Sequence, residues 1–294
     1  MNQPLFRGSA VAIVTPFKNG RVDLDALRRL VEMQIEGGTA AIVACGTTGE
    51  PATLTPDERE AVIREVVKAV NGRIPVICGT GSNCTQSVID NERRYRDLGC
   101  AAQLVVTPYY NKTTQEGLYA HFMAVAENTE LPIILYNVPG RTNLDISAAT
   151  LKRLAECERF IALKESSYSL PGILEKMAAV DGKLAFYSGN DDMVYPFLAL
   201  GAEGVISVVS NVAPKLMSDM VNSYFEGDIA RSRALQVESL PLVRALFNEV
   251  SPIPCKYAME KMGLCEGGLR LPLIEAGEAT RHMMDEALRA LKLL

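Results

Sequence analysis

Apolar residues along the chain gather into short uninterrupted runs, separated by stretches in which they recur every three or four positions. The runs cover residues 10–17, 40–45, 75–79, 103–108, 133–137, 160–165, 185–189 and 204–210. They are rich in β-branched side chains and show no polar–apolar alternation, the pattern of parallel strands buried on both faces. Between them the spacing is helical. Residues 23–36 place Leu24, Leu27, Leu30, Val31 and Ile35 on one stripe. Thr55-Pro56-Asp57-Glu58 opens the next helix with an N-cap, Pro at the first helical position and acids in the first turn. Helical spacing continues at 83–98, 115–128, 147–157, 170–180 and 193–200.

Eight strand–helix units in succession predict an α/β fold of the closed (β/α)8 TIM-barrel type. An open doubly wound sheet would leave two edge strands and usually has fewer units. After Asn211 the strands stop. Residues 214–226, 229–248, 254–261 and 277–293 read as helices, the first of them closing the barrel. The expected organisation is a catalytic barrel over 1–225 and a C-terminal helical extension over 226–294, packed on it. Nothing in the second part resembles a flexible linker.

A chain of 294 residues, 48% hydrophobic, can bury a large core without cross-links. The formal charge of −5 shows no basic cluster of the kind that marks a nucleic-acid partner. No apolar run reaches the roughly 18 residues of a membrane span. The start, Met1-Asn2-Gln3-Pro4-Leu5-Phe6-Arg7, lacks a signal-peptide pattern, so a cytoplasmic protein is expected. The seven cysteines form no CxxC pair, and Cys45, Cys78 and Cys100 lie in or beside apolar runs as small buried residues would. With only His121 and His282 available, both at helical positions, a histidine-rich metal site or a Ser-His-Asp triad is hard to build.

Barrel enzymes carry their chemistry at the carboxyl ends of the strands. There the chain sets Gly46-Thr47-Thr48-Gly49-Glu50, Thr107-Pro108-Tyr109-Tyr110, Tyr136-Asn137-Val138-Pro139, Lys164-Glu165-Ser166 and Ser188-Gly189-Asn190. Lys164 ends an otherwise apolar strand, whereas the other ten lysines lie in helices, turns or termini. An amine in a low-dielectric setting loses stability in its charged form, and the free base can attack a ketone to give an imine. The competing reading is a structural lysine paired with a carboxylate such as Glu165. Tyr136, on the adjacent strand, offers a phenol for proton transfer or a rim aromatic. Two threonines between glycines suit a small carboxylate; the loop is too short for a nucleotide phosphate loop. Arg141, in Pro139-Gly140-Arg141-Thr142, can clamp a second carboxylate or lie free in solvent. Tyr109-Tyr110 fits either a subunit interface or a packed rim.

Together these motifs resemble the dihydrodipicolinate synthase family of the N-acetylneuraminate lyase superfamily, over nearly the whole chain. The superfamily-level marks are Gly46-Thr47-Thr48-Gly49-Glu50, Tyr136 and Lys164. The more specific marks are Thr107-Pro108-Tyr109-Tyr110-Asn111-Lys112 and Tyr136-Asn137-Val138-Pro139-Gly140-Arg141-Thr142; Asn211-Val212 and Pro252-Ile253-Pro254-Cys255-Lys256 also fit. The resemblance implies a class I lyase of lysine and diaminopimelate synthesis that joins pyruvate to L-aspartate 4-semialdehyde, with no metal or organic cofactor. In that scheme Lys164 forms the imine, and Tyr136, Thr48 and Tyr110 relay protons, Tyr110 from a neighbouring subunit. Thr47 and Thr48 hold the pyruvate carboxylate, Arg141 binds the semialdehyde carboxylate, and Gly189 and Ile206 line the pyruvate side. A homotetramer built as a dimer of dimers is implied. Lysine-inhibited members carry two histidines and a glutamate where this chain has Pro56, Arg59 and Ser87, although Asn83 and Tyr109 persist; weak or absent inhibition by lysine is expected. Two other readings are a Schiff-base lyase or aldolase acting on a sugar acid, against which Arg141 and Tyr110 weigh, and a barrel serving as a non-catalytic scaffold.

Overall fold

The computed structural model describes residues 3–294. Met1 and Asn2, on which the reading of the amino terminus partly rests, lie outside the described residues. In chain order the elements are β1 (Gly8–Ala12), β2 (Phe17–Lys18), β3 (Arg21–Val22), α1 (Leu24–Glu36), β4 (Ala41–Ala44), α2 (Pro56–Val70), β5 (Val76–Gly79), α3 (Thr85–Tyr95), β6 (Ala102–Val106), α4 (Gln115–Asn128), β7 (Ile133–Asn137), α5 (Pro139–Thr142), α6 (Ala148–Leu154), β8 (Phe160–Glu165), α7 (Leu170–Val180), β9 (Ala185–Ser188), α8 (Val194–Ala199), β10 (Gly204–Ser207), α9 (Pro214–Phe225), α10 (Ile229–Leu246), α11 (Ile253–Lys261) and α12 (Glu278–Ala290). Strands β1 and β4–β10 close into one parallel barrel in the order β1-β10-β9-β8-β7-β6-β5-β4. This is the expected (β/α)8 architecture.

The strands are apolar throughout because each has two buried faces. One set of alternate residues, including Ala10, Ala12, Ala41, Val43, Ile77, Leu104, Ile134, Ala162 and Ile206, forms one cluster inside the barrel. The residues of opposite parity, such as Leu135, Leu163 and Phe186, pack outward against helices. Helix α2 begins as its sequence predicts. Thr55 accepts a hydrogen bond from Glu58 N at 3.2 Å while the Glu58 carboxylate accepts from Thr55 N at 2.9 Å, a reciprocal capping box. Helix α9 lies against β1 and β10, and α10 continues the chain against α9 and α12. Among the described residues no helix is long and apolar enough to cross a membrane.

Two local expectations change. The first strand starts at Gly8 and ends at Ala12, not at residues 10 and 17. Ile13 N still donates to Val43 O at 3.1 Å, but the buried Val14 leaves the ladder, and its N–H donates instead to Asn211 Oδ1 at 3.0 Å. Phe17 belongs to a two-residue hairpin with Val22. The last apolar run ends as a strand at Ser207, and Val209–Asn211 forms a 3-10 turn.

Barrel closure depends on one close approach. At Gly204 (φ 152°) a Cβ would lie 1.9 Å from the Gly8 carbonyl oxygen, across the β10–β1 seam. Gly204→Ala is therefore expected to destabilise the chain by about 1–3 kcal/mol or more. Gly140→Ala, where a Cβ meets nothing within 4 Å, should stay within about 0.5 kcal/mol. Urea unfolding of the two variants beside the parent checks the contrast.

Candidate active site

The carboxyl ends of the strands open into a cavity of about 350 Å³. Thr47, Tyr136 and Arg141 line it. Lys164 lies behind Tyr136: the two residues are in register on β8 and β7, and Lys164 Nζ is 4.4 Å from the Tyr136 ring centroid. Thr48 and Ile206 are buried at the same end of the barrel. Gly189 follows β9, and its missing side chain matters. A Cβ there would stand 1.9 Å from Ser166 Oγ and 3.0 Å from Lys164 Cε.

Burial alone does not distinguish Lys164. Lys164, Lys176 and Lys256 are 5%, 3% and 0% exposed. What differs is their pairing. Lys176 on α7 lies 2.8 Å from Glu165 Oε2 and 2.7 Å from Asp145 Oδ1, and Lys256 on α11 lies 2.5 Å from Glu50 Oε1. No carboxylate among the described residues pairs with Lys164. The competing reading of Lys164, a partner for Glu165, fails for a geometric reason. Successive strand residues point to opposite faces. Lys164 shares the inward parity of Ala162. Glu165 faces the helices, where it also accepts from Asn137 Nδ2 at 2.8 and 3.0 Å and from Ser167 N at 2.7 Å.

The Gly46–Glu50 loop is shaped by its neighbours. Cys45 (φ 56°) and Glu50 (φ 53°) both take left-handed backbones at its ends. The Cys45 carbonyl sits so close to β5 that a Cβ on Gly79 would meet its oxygen at 2.1 Å. Thr47–Gly49 forms a 3-10 turn, and Thr15 Oγ1 donates to Gly49 O at 2.8 Å. Arg141 rides on the single turn of α5. Pro139 starts that turn, Asn143 caps it in the left-handed region, and Thr107 Oγ1 donates to Thr142 Oγ1 at 2.9 Å. Arg141 Nη2 donates to Ser251 O at 3.2 Å.

Three features around the site were not anticipated. Val250, Ser251 and Pro252 line it from the segment between α10 and α11. Arg59, expected only as a departure from lysine-inhibited relatives, lines it as well, and its buried Nε has no hydrogen-bond partner. Asp191 is fully enclosed beyond β9. Burial raises its carboxyl, against hydrogen bonds from Ser207 and from Val209 and Val208 N–H and against the field of Lys164. Nothing in its sequence position announces this, since Asn190-Asp191-Asp192 looks like a polar turn. Tyr110 is not brought to its own chain's cavity. It is 91% exposed with φ 68°, and Tyr109 lines the cavity in its place.

With this geometry in place the chain can be compared with known proteins. The sequence profile of the Dihydrodipicolinate synthetase family matches residues 5–291. A 4-hydroxy-tetrahydrodipicolinate synthase of Acetivibrio thermocellus is 46% identical over 289 residues, spanning 98% of each chain. The crystal structure of dihydrodipicolinate synthase from Thermotoga maritima superposes with a TM-score of 0.97 at 43% identity, covering 99% of this chain and 100% of that one. The chloride-inhibited dihydrodipicolinate synthase from Acinetobacter baumannii, solved in complex with pyruvate, gives a TM-score of 0.95 at 46% identity, covering 98% and 99%.

Cys45 is the thiol nearest in sequence to the Gly-Thr loop, and burial pushes it up to about 12. Cys84 is exposed, and hydrogen bonds from the Ser87 side chain and backbone hold its thiol below the ordinary value. Alkylation near neutral pH followed by peptide mapping should label Cys84 first and leave Cys45 unmodified until the chain unfolds. Early labelling of Cys45 would contradict its packing role.

Proposed function

The chain belongs to the dihydrodipicolinate synthetase family, and from that membership we propose that it is a class I Schiff-base lyase condensing pyruvate with L-aspartate 4-semialdehyde, in the synthesis of diaminopimelate and lysine. The observation that carries the reading is the unpaired amine of Lys164 beside Tyr136, in a barrel whose two other buried lysines are both neutralised by carboxylates. An amine free of a counter-ion can give its lone pair to a carbonyl carbon.

In the proposed sequence Lys164 attacks the pyruvate ketone, and water leaves as the imine forms. The protonated imine then draws electrons from the methyl carbon, which loses a proton to give an enamine. The enamine carbon bonds to the aldehyde carbon of the second substrate. The amino group of that substrate adds to the imine carbon and displaces Lys164 as the ring closes. Tyr136, Thr48 and Tyr110 pass the protons. Thr47 and Thr48 receive the pyruvate carboxylate, with Gly189 and Ile206 shaping that side. Arg141, held over the cavity by Ser251 O, takes the carboxylate of the semialdehyde. Tyr110, left in solvent by its own chain, enters the relay from a neighbouring subunit, an exchange that two subunits suffice for; family membership suggests a homotetramer of two such tight dimers. All seven cysteines are unpaired, which supports a reducing cytoplasmic location.

Borohydride reduction in the presence of pyruvate tests the reading. A mass adduct on Lys164 is expected, and its loss in Lys164→Ala. Arg141→Ala should keep the adduct while kcat/KM for the semialdehyde falls about 10–100-fold. An adduct on another residue, or none, defeats the proposal; full turnover in Arg141→Ala removes that residue from its role.

Feedback by lysine is proposed to be weak or absent. A lysine ligand brings an ammonium, and Arg59 presents a like charge at one of the three positions where lysine-inhibited members carry histidine or glutamate. Pro56 and Ser87 supply no carboxylate or imidazole to compensate. Initial rates with millimolar lysine should match those without it. Strong inhibition at that concentration would overturn the point.

A further inference from the structure

One charged pair joins a carboxyl-terminal helix to the loop that carries Thr47 and Thr48. Glu50 closes that loop. It joins two 3-10 turns, Thr47–Gly49 and Pro51–Thr53, in a left-handed backbone (φ 53°, ψ 43°). A residue with a Cβ stays in that conformation only where its surroundings fix it. Here the carboxylate is fixed. Oε1 lies 2.5 Å from Lys256 Nζ, and Oε2 accepts from Arg270 N at 3.3 Å. The two paired side chains are 2% and 0% exposed.

Lys256 is held by more than this pair. Its Nζ also donates to Gly268 O at 2.8 Å and lies 3.9 Å from the centroid of the Phe17 ring. The guanidinium of Arg270 covers the same ring at 4.5 Å and donates to Thr53 O at 2.8 Å. On its other side the loop is held by the bond from Thr15 to Gly49 O. The turn is thus gripped between the end of β1 and helix α11.

A buried ion pair is a poor means of adding stability, because removing two charges from water costs about as much as their attraction returns. A packed apolar pair of similar volume would hold α11 to the barrel as well. What the ion pair adds is position. Glu50 Oε2 accepts from Arg270 N while Oε1 rests against the Lys256 ammonium, so displacing the turn would strand a buried charge.

We propose that Lys256 and Glu50 are positioning residues for the 2-oxo acid: their pair fixes the Thr47–Thr48 turn where it receives the substrate carboxylate. The carboxyl-terminal helices thereby set the affinity for the first substrate without touching it. The inference rests on the substrate assignment made above.

Lys256→Met and Glu50→Gln, each in the full chain, test it by steady-state kinetics with the two substrates varied separately. Lys256→Met is expected to raise KM for pyruvate about tenfold, with kcat held within about threefold and KM for aspartate semialdehyde within about twofold. A purely structural role predicts something else: a smaller fraction of enzyme trapped on Lys164 by borohydride, with KM for pyruvate unchanged in the fraction that remains. That outcome, or equal changes in both KM values, overturns the inference. Glu50→Gln keeps the side-chain shape and one acceptor oxygen, so it decides the matter if Lys256→Met does not fold; the same shift is expected at about threefold, and no shift overturns the proposal. The absence of any pyruvate adduct in the unaltered chain would overturn the substrate assignment along with it. A normal adduct with unchanged KM values in both variants overturns the positioning role alone.

Discussion

The pairing of Lys176 with Glu165 is the interaction on which the reactive end of the barrel depends. Glu165 is the residue next to Lys164 and its nearest carboxylate along the chain. Were the two able to meet, the amine would be tied into an ion pair. The pleat of β8 separates them, and α7 delivers Lys176 to the outer face, where Glu165 is held by Asn137 as well. The carboxylate is therefore consumed on the helical side of the strand. The barrel interior receives the lysine without its counter-ion, with the Tyr136 ring against it. Removing Lys176 would leave a buried carboxylate uncompensated a single residue from the Lys164 amine, a costly arrangement. Lys176 is thus tied to the chemistry although it lies outside the barrel.

The same division recurs at the Gly-Thr loop. A turn that offers backbone N–H groups and hydroxyls to an anion has little side-chain bulk with which to anchor itself. Its anchors come from elsewhere: Thr15 from the end of β1, Glu50 at its own last position, and Lys256 and Arg270 from the carboxyl-terminal segment. The cavity wall has the same origin, since Val250, Ser251 and Pro252 line it together with Tyr136 and Arg141. The carboxyl-terminal helices therefore complete a site that the barrel begins.

How much of this can be read from the chain follows from which forces leave a local trace. Parallel strands buried on both faces show as apolar runs, and β7 and β8 fall where the runs at 133–137 and 160–165 put them. The run at 10–17 misleads because from Val14 on it is buried without pairing to β4; burial and ladder membership part company there. The hairpin at Phe17–Val22 has strands of two residues and no period to detect. Lys164 is conspicuous as the one lysine at the end of an apolar barrel strand. Lys176 and Lys256 are no more exposed, yet they sit in helices, where a lysine looks like a solvent-facing residue until the partner from a distant segment is known. Arg59, Ser251 and Asp191 were missed as neighbours of the site for that reason: each acquires its setting through contacts far away in sequence.

Tyr110 carries the same reasoning to the surface of the molecule. A tyrosine has much apolar area to bury, and a left-handed backbone is uncommon for a residue of its size. Here it has φ 68° and 91% of its surface in water, directly after Tyr109, which lines the cavity. Nothing among the described residues of its own chain covers the ring. Asn111, the next residue, is held by a bond from its Nδ2 to Asn83 O at 2.9 Å, so the loop that presents the ring is itself anchored. A fixed loop that pushes an aromatic phenol away from its own site makes physical sense when a second copy of the chain receives it. The proton relay proposed for the reaction needs a phenol at that point, and in this arrangement each subunit supplies it to the other.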